Sequence, residues 1–278
     1  MGDPHSVAIG DAVFVGGGVA VNESDECTVM KFQRGHWTKL PEYSAHRFAM
    51  TSLDNQLVLV GGLKRAVHRP TNQIAVFESG KWIHPYPPMS IRRSRSTAVS
   101  FHNRIVVAGG HDQGKALSTV EVFDVASRTW YIAESMPEPL WLIKSTVIGD
   151  TLYTIGGCIQ DATRSVFKAN LTDLIDNAVS KMPTQSPWQR IEDTPLYRSA
   201  PLSVGGSLLA VGGRDDNPSS SIHLYQPDTK SWLKVGDLRT PQYNCTCSVL
   251  PNGEIIVAGG TATLETYSNT VYILTISN

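Results

Sequence analysis

The stretch Arg104–Gly114, RIVVAGGHDQG, decides the fold. A β-branched run, Ile105-Val106-Val107, leads straight into Gly109-Gly110, and polar residues follow at once. A glycine pair after an apolar strand is either a phosphate-binding loop or a device of backbone geometry. A Walker loop needs GxxxxGK[ST] before a helix, and a dinucleotide fingerprint needs GxGxxG before a helix. Neither pattern is present, and a strand comes next instead. The pair therefore reads as structural: the second glycine needs a positive φ, and close neighbouring strands leave no room for a Cβ.

The device recurs. Apolar strands end in Gly16-Gly17, Gly61-Gly62, Gly109-Gly110, Gly156-Gly157, Gly212-Gly213 and Gly259-Gly260, with first-glycine spacings of 45, 48, 47, 56 and 47. Ahead of each pair lies a hairpin turn between apolar runs, such as LDNQL or IGDTL. After each pair, past a polar loop, comes a strand with an aromatic: Phe32, Phe77, Phe123, Phe167, Tyr225 and Tyr272. A tryptophan follows in five units: Trp37, Trp82, Trp130, Trp188 and Trp232. Each unit thus contains four strands, here A (before the turn), B (ending at the glycines), C (with the aromatic) and D (starting at the tryptophan). A small antiparallel sheet cannot bury both faces alone, and radial packing of such sheets gives a propeller.

The glycine doublet, C-strand aromatic and tryptophan resemble the kelch repeat, most fully in Gly109-Gly110, Val120-Glu121-Val122-Phe123-Asp124 and Trp130. The resemblance implies an all-β, six-bladed kelch-type propeller with four antiparallel strands per blade. It spans nearly the whole chain as one domain, 1–278, with blades near 1–41, 42–89, 90–137, 138–193, 194–238 and 239–278. The last blade is expected to be incomplete, because SNTVYILTISN ends without a D strand. The tryptophans and C-strand aromatics are expected to pack between blades. Unit 4 carries an insertion, NLTDLIDNAVSKMPTQSP, in which Leu171, Leu174, Ile175, Ala178, Val179 and Met182 follow helical spacing, with Thr172 as a cap and the apolar side docked on the propeller.

Composition narrows the function. Net charge is −1 in 278 residues, which gives no bulk attraction for nucleic acid or membrane. No apolar segment is long enough for a transmembrane helix, and the N-terminus lacks a signal-peptide pattern. Cys27, Cys158, Cys245 and Cys247 form no CxxC pair and read as buried reduced thiols of an intracellular and cytoplasmic protein. No cofactor and no metal site is expected. Sequons at Asn22, Asn170 and Asn244 carry no weight without a secretion signal.

Antiparallel order places the B–C loops and the D–A links on one face of the ring. The B–C loops are longer than the A–B turns and all different, which marks them as the functional side. Fourteen residues before the doublet stand Arg47, Arg95 and Arg198; unit 4 has Leu142 there beside Trp141, and unit 6 has Cys245 by strict count beside Tyr243 and Asn244. In kelch adaptors, arginines at this position contact the partner peptide. One sector of the face is basic: Arg47, Lys64, Arg65, Arg69, Arg92, Arg93 and Arg95, with His46 and His68 among them. Glu23, Asp25 and Glu26 on blade 1, and Asp112, Asp161, Asp215 and Asp216 elsewhere on the rim, are the acidic counterpart. Arginine grips carboxylates and phosphates with two prongs. The expected function is a protein-interaction module, adaptor or scaffold, binding a protein or peptide partner on this face, with an acidic or phosphorylated partner as the hypothesis for the basic sector. The candidate residues are Arg47, Lys64, Arg65, Arg69, Arg92, Arg93, Arg95, His111, Trp141, Arg198, Arg214, Tyr243 and Asn244. The propeller is expected to be monomeric unless fused to another domain. The alternative is a propeller enzyme acting on a sugar or small molecule at the central pocket, although GxSxG and HExxH are absent.

Overall fold

Each unit's strands pair in the order in which the sequence writes them. The computed structural model describes residues 3–18, 28–181, 185–262 and 271–274. Five sheets have four antiparallel strands, and a sixth has three among the described residues. Blade 3 shows the plan: Thr97–Phe101, Arg104–Ala108, Val120–Asp124 and Thr129–Ala133 pair successively. The A strands begin at His5, Ala49, Thr97, Lys144, Ala200 and Thr246, and neighbouring ones touch in a closed cycle around a central channel. Blades 1 and 6 meet there through Ser6 Oγ, 2.7 Å from Thr246 Oγ1 and 2.8 Å from Ser248 Oγ. The A–B turns use left-handed residues as tight hairpins require; Asp54 and Asn55 both have positive φ (49° and 60°).

Between blades the sheets bury both faces, so several small cores replace one large one. Phe123 lies in the core between blades 2 and 3, whereas Val120 and Val122 of the same strand lie in the core between blades 3 and 4. The C-strand aromatic and the D-strand tryptophan are direct cross-strand partners: Phe32 with Trp37, Phe77 with Trp82, Phe123 with Trp130 and Tyr225 with Trp232, ring centroids 5.0–5.2 Å apart. The indole N–H then reaches the preceding blade. Trp82 donates to Pro41 O, Trp130 to Pro87 O, Trp188 to Glu134 O and Trp232 to Glu192 O, at 2.8–3.1 Å. These four tryptophans are thus both packing groups and inter-blade staples.

Blade 4 departs from this. Its insertion forms helix α1, Leu171–Ser180, and Trp188 pairs with Ala169 rather than Phe167. Arg190 takes the place opposite Phe167, its guanidinium 6.0 Å from the ring centroid. Leu171, Leu174, Ile175 and Ala178 are buried against blades 3 and 4, so the apolar side docks on the propeller as expected. Val179, counted with that side from its spacing, is 41% exposed, and Met182 lies outside the described residues. The cap is Asn170, whose side chain accepts from the Asp173 N–H at 2.9 Å, and not Thr172. The chain reaches Asn170 in extended backbone, one residue before the first helical turn, and only that residue can fold back onto Asp173.

The glycine doublet is where blades are stitched together. At Gly109 (φ 64°) an added Cβ would lie 2.5 Å from Leu140 O of blade 4. At Gly110 (φ 104°) it would lie 2.9 Å from Ser94 O of its own blade, and the Gly110 N–H donates to Leu140 O at 2.8 Å. Both positions, not only the second, demand glycine. Unit 1 needs a correction. The first A–B pair is His5↔Gly16 there and Ala49↔Val60, Thr97↔Ala108 and Lys144↔Ile155 in the next three units. Gly16 therefore stands in the place of Val60, outside the doublet, and has no positive φ, whereas Gly17 does (86°). A third glycine, Gly18, hid this register in the sequence.

Candidate functional site

Beyond the doublet, the A–B ladder continues onto the loop face. His46 pairs with Leu63, Ser94 with His111, Trp141 with Cys158, Tyr197 with Arg214 and Tyr243 with Thr261. The residue after each link position is left-handed: Arg47, Arg95, Leu142, Arg198 and Asn244, with φ 55–58°. Asp3 (φ 57°) has the same conformation at the start of blade 1. Backbone bonds join these positions from blade to blade. Arg47 N–H donates to Gly17 O (2.6 Å), Arg95 to Arg47 O (2.8 Å), Leu142 to Arg95 O (3.0 Å) and Asn244 to Arg198 O (3.0 Å). The ring sets the spacing of its own side chains at the channel mouth. By strict counting unit 6 offered Cys245; Asn244 occupies the equivalent place, and Cys245 is buried.

Arg47, Arg95 and Arg198 therefore share the mouth. Burial first, and the Arg47 charge next, lower the Arg95 pKa; Arg198 adds to this and Asp3 opposes it. Among the described residues, no ion pair joins Arg95 or Arg198 to a carboxylate. Arg95 lies 4.7 Å from the Trp141 ring centroid, and His111 5.8 Å from it on the same side of the mouth. Burial, then the Arg95 charge, lower the His111 pKa and so favour the neutral imidazole. Trp141 is half-buried, its indole donating to Ile159 O at 3.1 Å. On the far side, Arg214 lies 5.4 Å from the buried Tyr243 ring, and Arg164 stacks on Tyr197 at 4.2 Å while pairing with Asp215 at 2.6 Å. The Cys158 thiol, deep at the mouth, is pushed up by burial and stays protonated, with Arg198 pulling the other way.

The basic sector divides into three. Arg47 and Arg95 belong to the mouth. Lys64, Arg69 and Arg92 are exposed and line a separate outer pocket; Arg65 opens the 3₁₀ turn of that loop. Arg93, expected on the rim, is fully buried. Its guanidinium donates to Glu121 Oε2 at 2.6 Å, to Gly109 O at 2.7 Å and to Thr119 O at 3.0 Å. Glu121 in turn accepts from Ser90 N–H (2.7 Å) and Ile91 N–H (3.3 Å). The pair anchors the blade 2–3 link to the C strand of blade 3, so Arg93 is a core residue. Two signals marked it. Glu121 sits between Val120 and Val122 in its strand, and the residue two before the left-handed position is Ala45, Leu140, Leu196 or Gln242 elsewhere, uncharged in every case.

Sequence reasoning missed Asp3, Cys158, Arg164 and Lys144. Lys144, the first A-strand residue of blade 4, donates to Pro4 O at 2.7 Å and lies 3.6 Å from Asp3. Below the mouth, His5, Ser6, Thr97, Lys144, Ser145 and Thr246 line a cavity of about 60 Å³. Burial, then Lys144, lower the His5 pKa to about 4. Glu23, Asp25, Glu26 and Cys27 lie outside the described residues. Among the described residues no three His, Cys, Asp or Glu groups gather as metal ligands, and no helix is long and apolar enough to cross a membrane.

Radial four-stranded sheets, a polar channel and variable loops at one mouth define a β-propeller. Residues 45–260 match the family described as KLHDC2/KLHL20/DRC7 Kelch-repeats domain, and the chain belongs to the kelch-repeat family. It is 26% identical over 231 residues to Kelch-like protein 35 of Mus musculus, covering 81% of this chain and 37% of that protein. It is 24% identical to Kelch repeat and BTB domain-containing protein 1 of cowpox virus (83% of this chain, 41% of that one). Against the F-box/kelch-repeat protein At1g80440 of Arabidopsis thaliana it is 25% identical, over 90% and 72% of the two chains. The chain thus spans about two-fifths of the first two relatives. Among solved structures, one described as "Structure of YjhT" superposes with a TM-score of 0.79 at 14% identity, over 100% of this chain and 95% of the other, which shows the fold.

Proposed function

We propose that this propeller is a partner-recognition module whose channel mouth receives an acidic segment of another protein. One observation carries the reading. Three arginines from blades 2, 3 and 5 are held at equivalent left-handed positions around one opening, close enough for the charges of Arg47 and Arg198 to act on Arg95. Convergent guanidiniums with low local solvation favour carboxylates, which they bind in pairs of parallel hydrogen bonds. Trp141 beside Arg95 and His111 supplies an amphipathic anchor of the kind that dominates interface energies. The enzyme alternative fits less well at the centre of the ring, where the cavity lined by His5, Ser6 and Lys144 measures about 60 Å³, below the several hundred Å³ of ordinary small-molecule sites.

The test is affinity capture from a lysate, with wild type compared with R47E/R95E/R198E. The reading expects partners held by wild type to be lost from the variant, while both melt at similar temperatures. Capture of the same set by both would overturn it.

A further inference from the structure

The outer pocket of blade 2 is a different object from the mouth. We propose that it binds a phosphate monoester, a phosphorylated serine or threonine of the partner; this rests on the reading that partners dock on this face. The pocket, about 580 Å³, is lined by Lys64, Val67, Arg69, Asn72, Gln73 and Arg92 among others, and none of its lining residues is acidic. Lys64 and Arg69 are direct cross-strand partners, an arrangement in which like charges repel. No ion pair among the described residues relieves Lys64, Arg69 or Arg92, and all three are exposed.

The backbone that carries the cations is nonetheless held in place. A small sheet, Ala45–His46 with Leu63–Lys64 and Arg69–Pro70, holds the loop. Its tip closes through the 3₁₀ turn Arg65–Val67 and left-handed His68. Arg92 is positioned by its neighbour, since Arg93 is locked in the core and its N–H donates to Thr71 O at 3.2 Å. Asn72 spends its side-chain N–H on Met89 O at 2.7 Å. Three cations on a held backbone, with no carboxylate among the pocket's lining residues, suit a dianion better than a single carboxylate. The apolar Val67, 58% exposed at the edge, suits a peptide chain more than a nucleic-acid backbone, which needs a track of several phosphate contacts.

The experiment titrates the full chain at constant ionic strength with O-phosphoserine amide, following binding by NMR, and with acetate, serine amide and a twelve-residue oligothymidylate as comparisons. Wild type and R95A are expected to bind phosphoserine amide saturably. K64A/R69A should lose about ten-fold or more in affinity, because charge-assisted bonds are lost, while melting no lower than wild type. Acetate and serine amide should give no saturable shift. The proposal is overturned by non-saturable phosphoserine binding, by equal binding to K64A/R69A, by loss in R95A alone, or by acetate binding as well. Oligothymidylate binding that depends on the same residues would overturn it in favour of nucleic acid. No partner is present in this titration, so its failure leaves the mouth reading to be judged separately by capture.

Discussion

At one end of the ring the strands are joined by short turns that differ little from blade to blade, the helical insertion of blade 4 excepted; at the other, the same strands run past a glycine pair into loops that share almost nothing. The turn end carries helix α1 packed flat against blades 3 and 4. The loop end carries a repeated backbone with unrepeated side chains: Asp3, Arg47, Arg95, Leu142, Arg198 and Asn244 in one conformation at one station. Frame and specificity are therefore separable within a few residues. Arg93 and Arg95 make the point: the first is buried and holds blades together, and the second, two residues on, faces the mouth.

That separation can be broken from the frame side first. Glu121→Ala leaves the Arg93 charge buried and unpaired, and should cost about 3–5 kcal/mol in urea unfolding. Gly109→Ala forces an L residue into left-handed backbone against Leu140 O, and should cost about 2–3 kcal/mol. The channel adds a pH term. A histidine whose folded pKa lies below its unfolded value favours folding in its neutral form, so stability is full above the ordinary 6.5 and declines as pH falls toward about 4. His5 should account for up to about 3 kcal/mol across that window, read as the difference in pH-dependent unfolding between wild type and His5→Gln. At the turn end, Asn170→Ala removes the cap of α1 and should cost about 1 kcal/mol by thermal melting. Substitutions of the mouth arginines should change stability least, within about 0.5 kcal/mol each.

Much of the frame was legible because the repeat states it six times. The glycine pairs, hairpin turns and aromatic–tryptophan pairs each report one local geometry, and that geometry recurs in most of the blades. The sequence was less legible where a repeat was altered. Gly16 passed for a doublet member because three glycines follow one another, and the shift hid Asp3. The extra residues of blade 4 moved Trp188 away from Phe167. The mouth was half legible. Counting back from the glycines found Arg47, Arg95 and Arg198, but charge alone could not tell a rim arginine from a buried one. Arg93 and Arg95 flank a single serine, and what separates them is the partner Glu121, twenty-eight residues away in sequence and 2.6 Å away in space.

The most direct measurement crosses the two sides. Melting temperature and partner capture are read together for Glu121→Gln and for R47E/R95E/R198E. The account predicts a lower melting temperature with capture retained below that temperature for the first, and an unchanged melting temperature with capture lost for the second. Capture unaffected by the triple variant, at full stability, would contradict it.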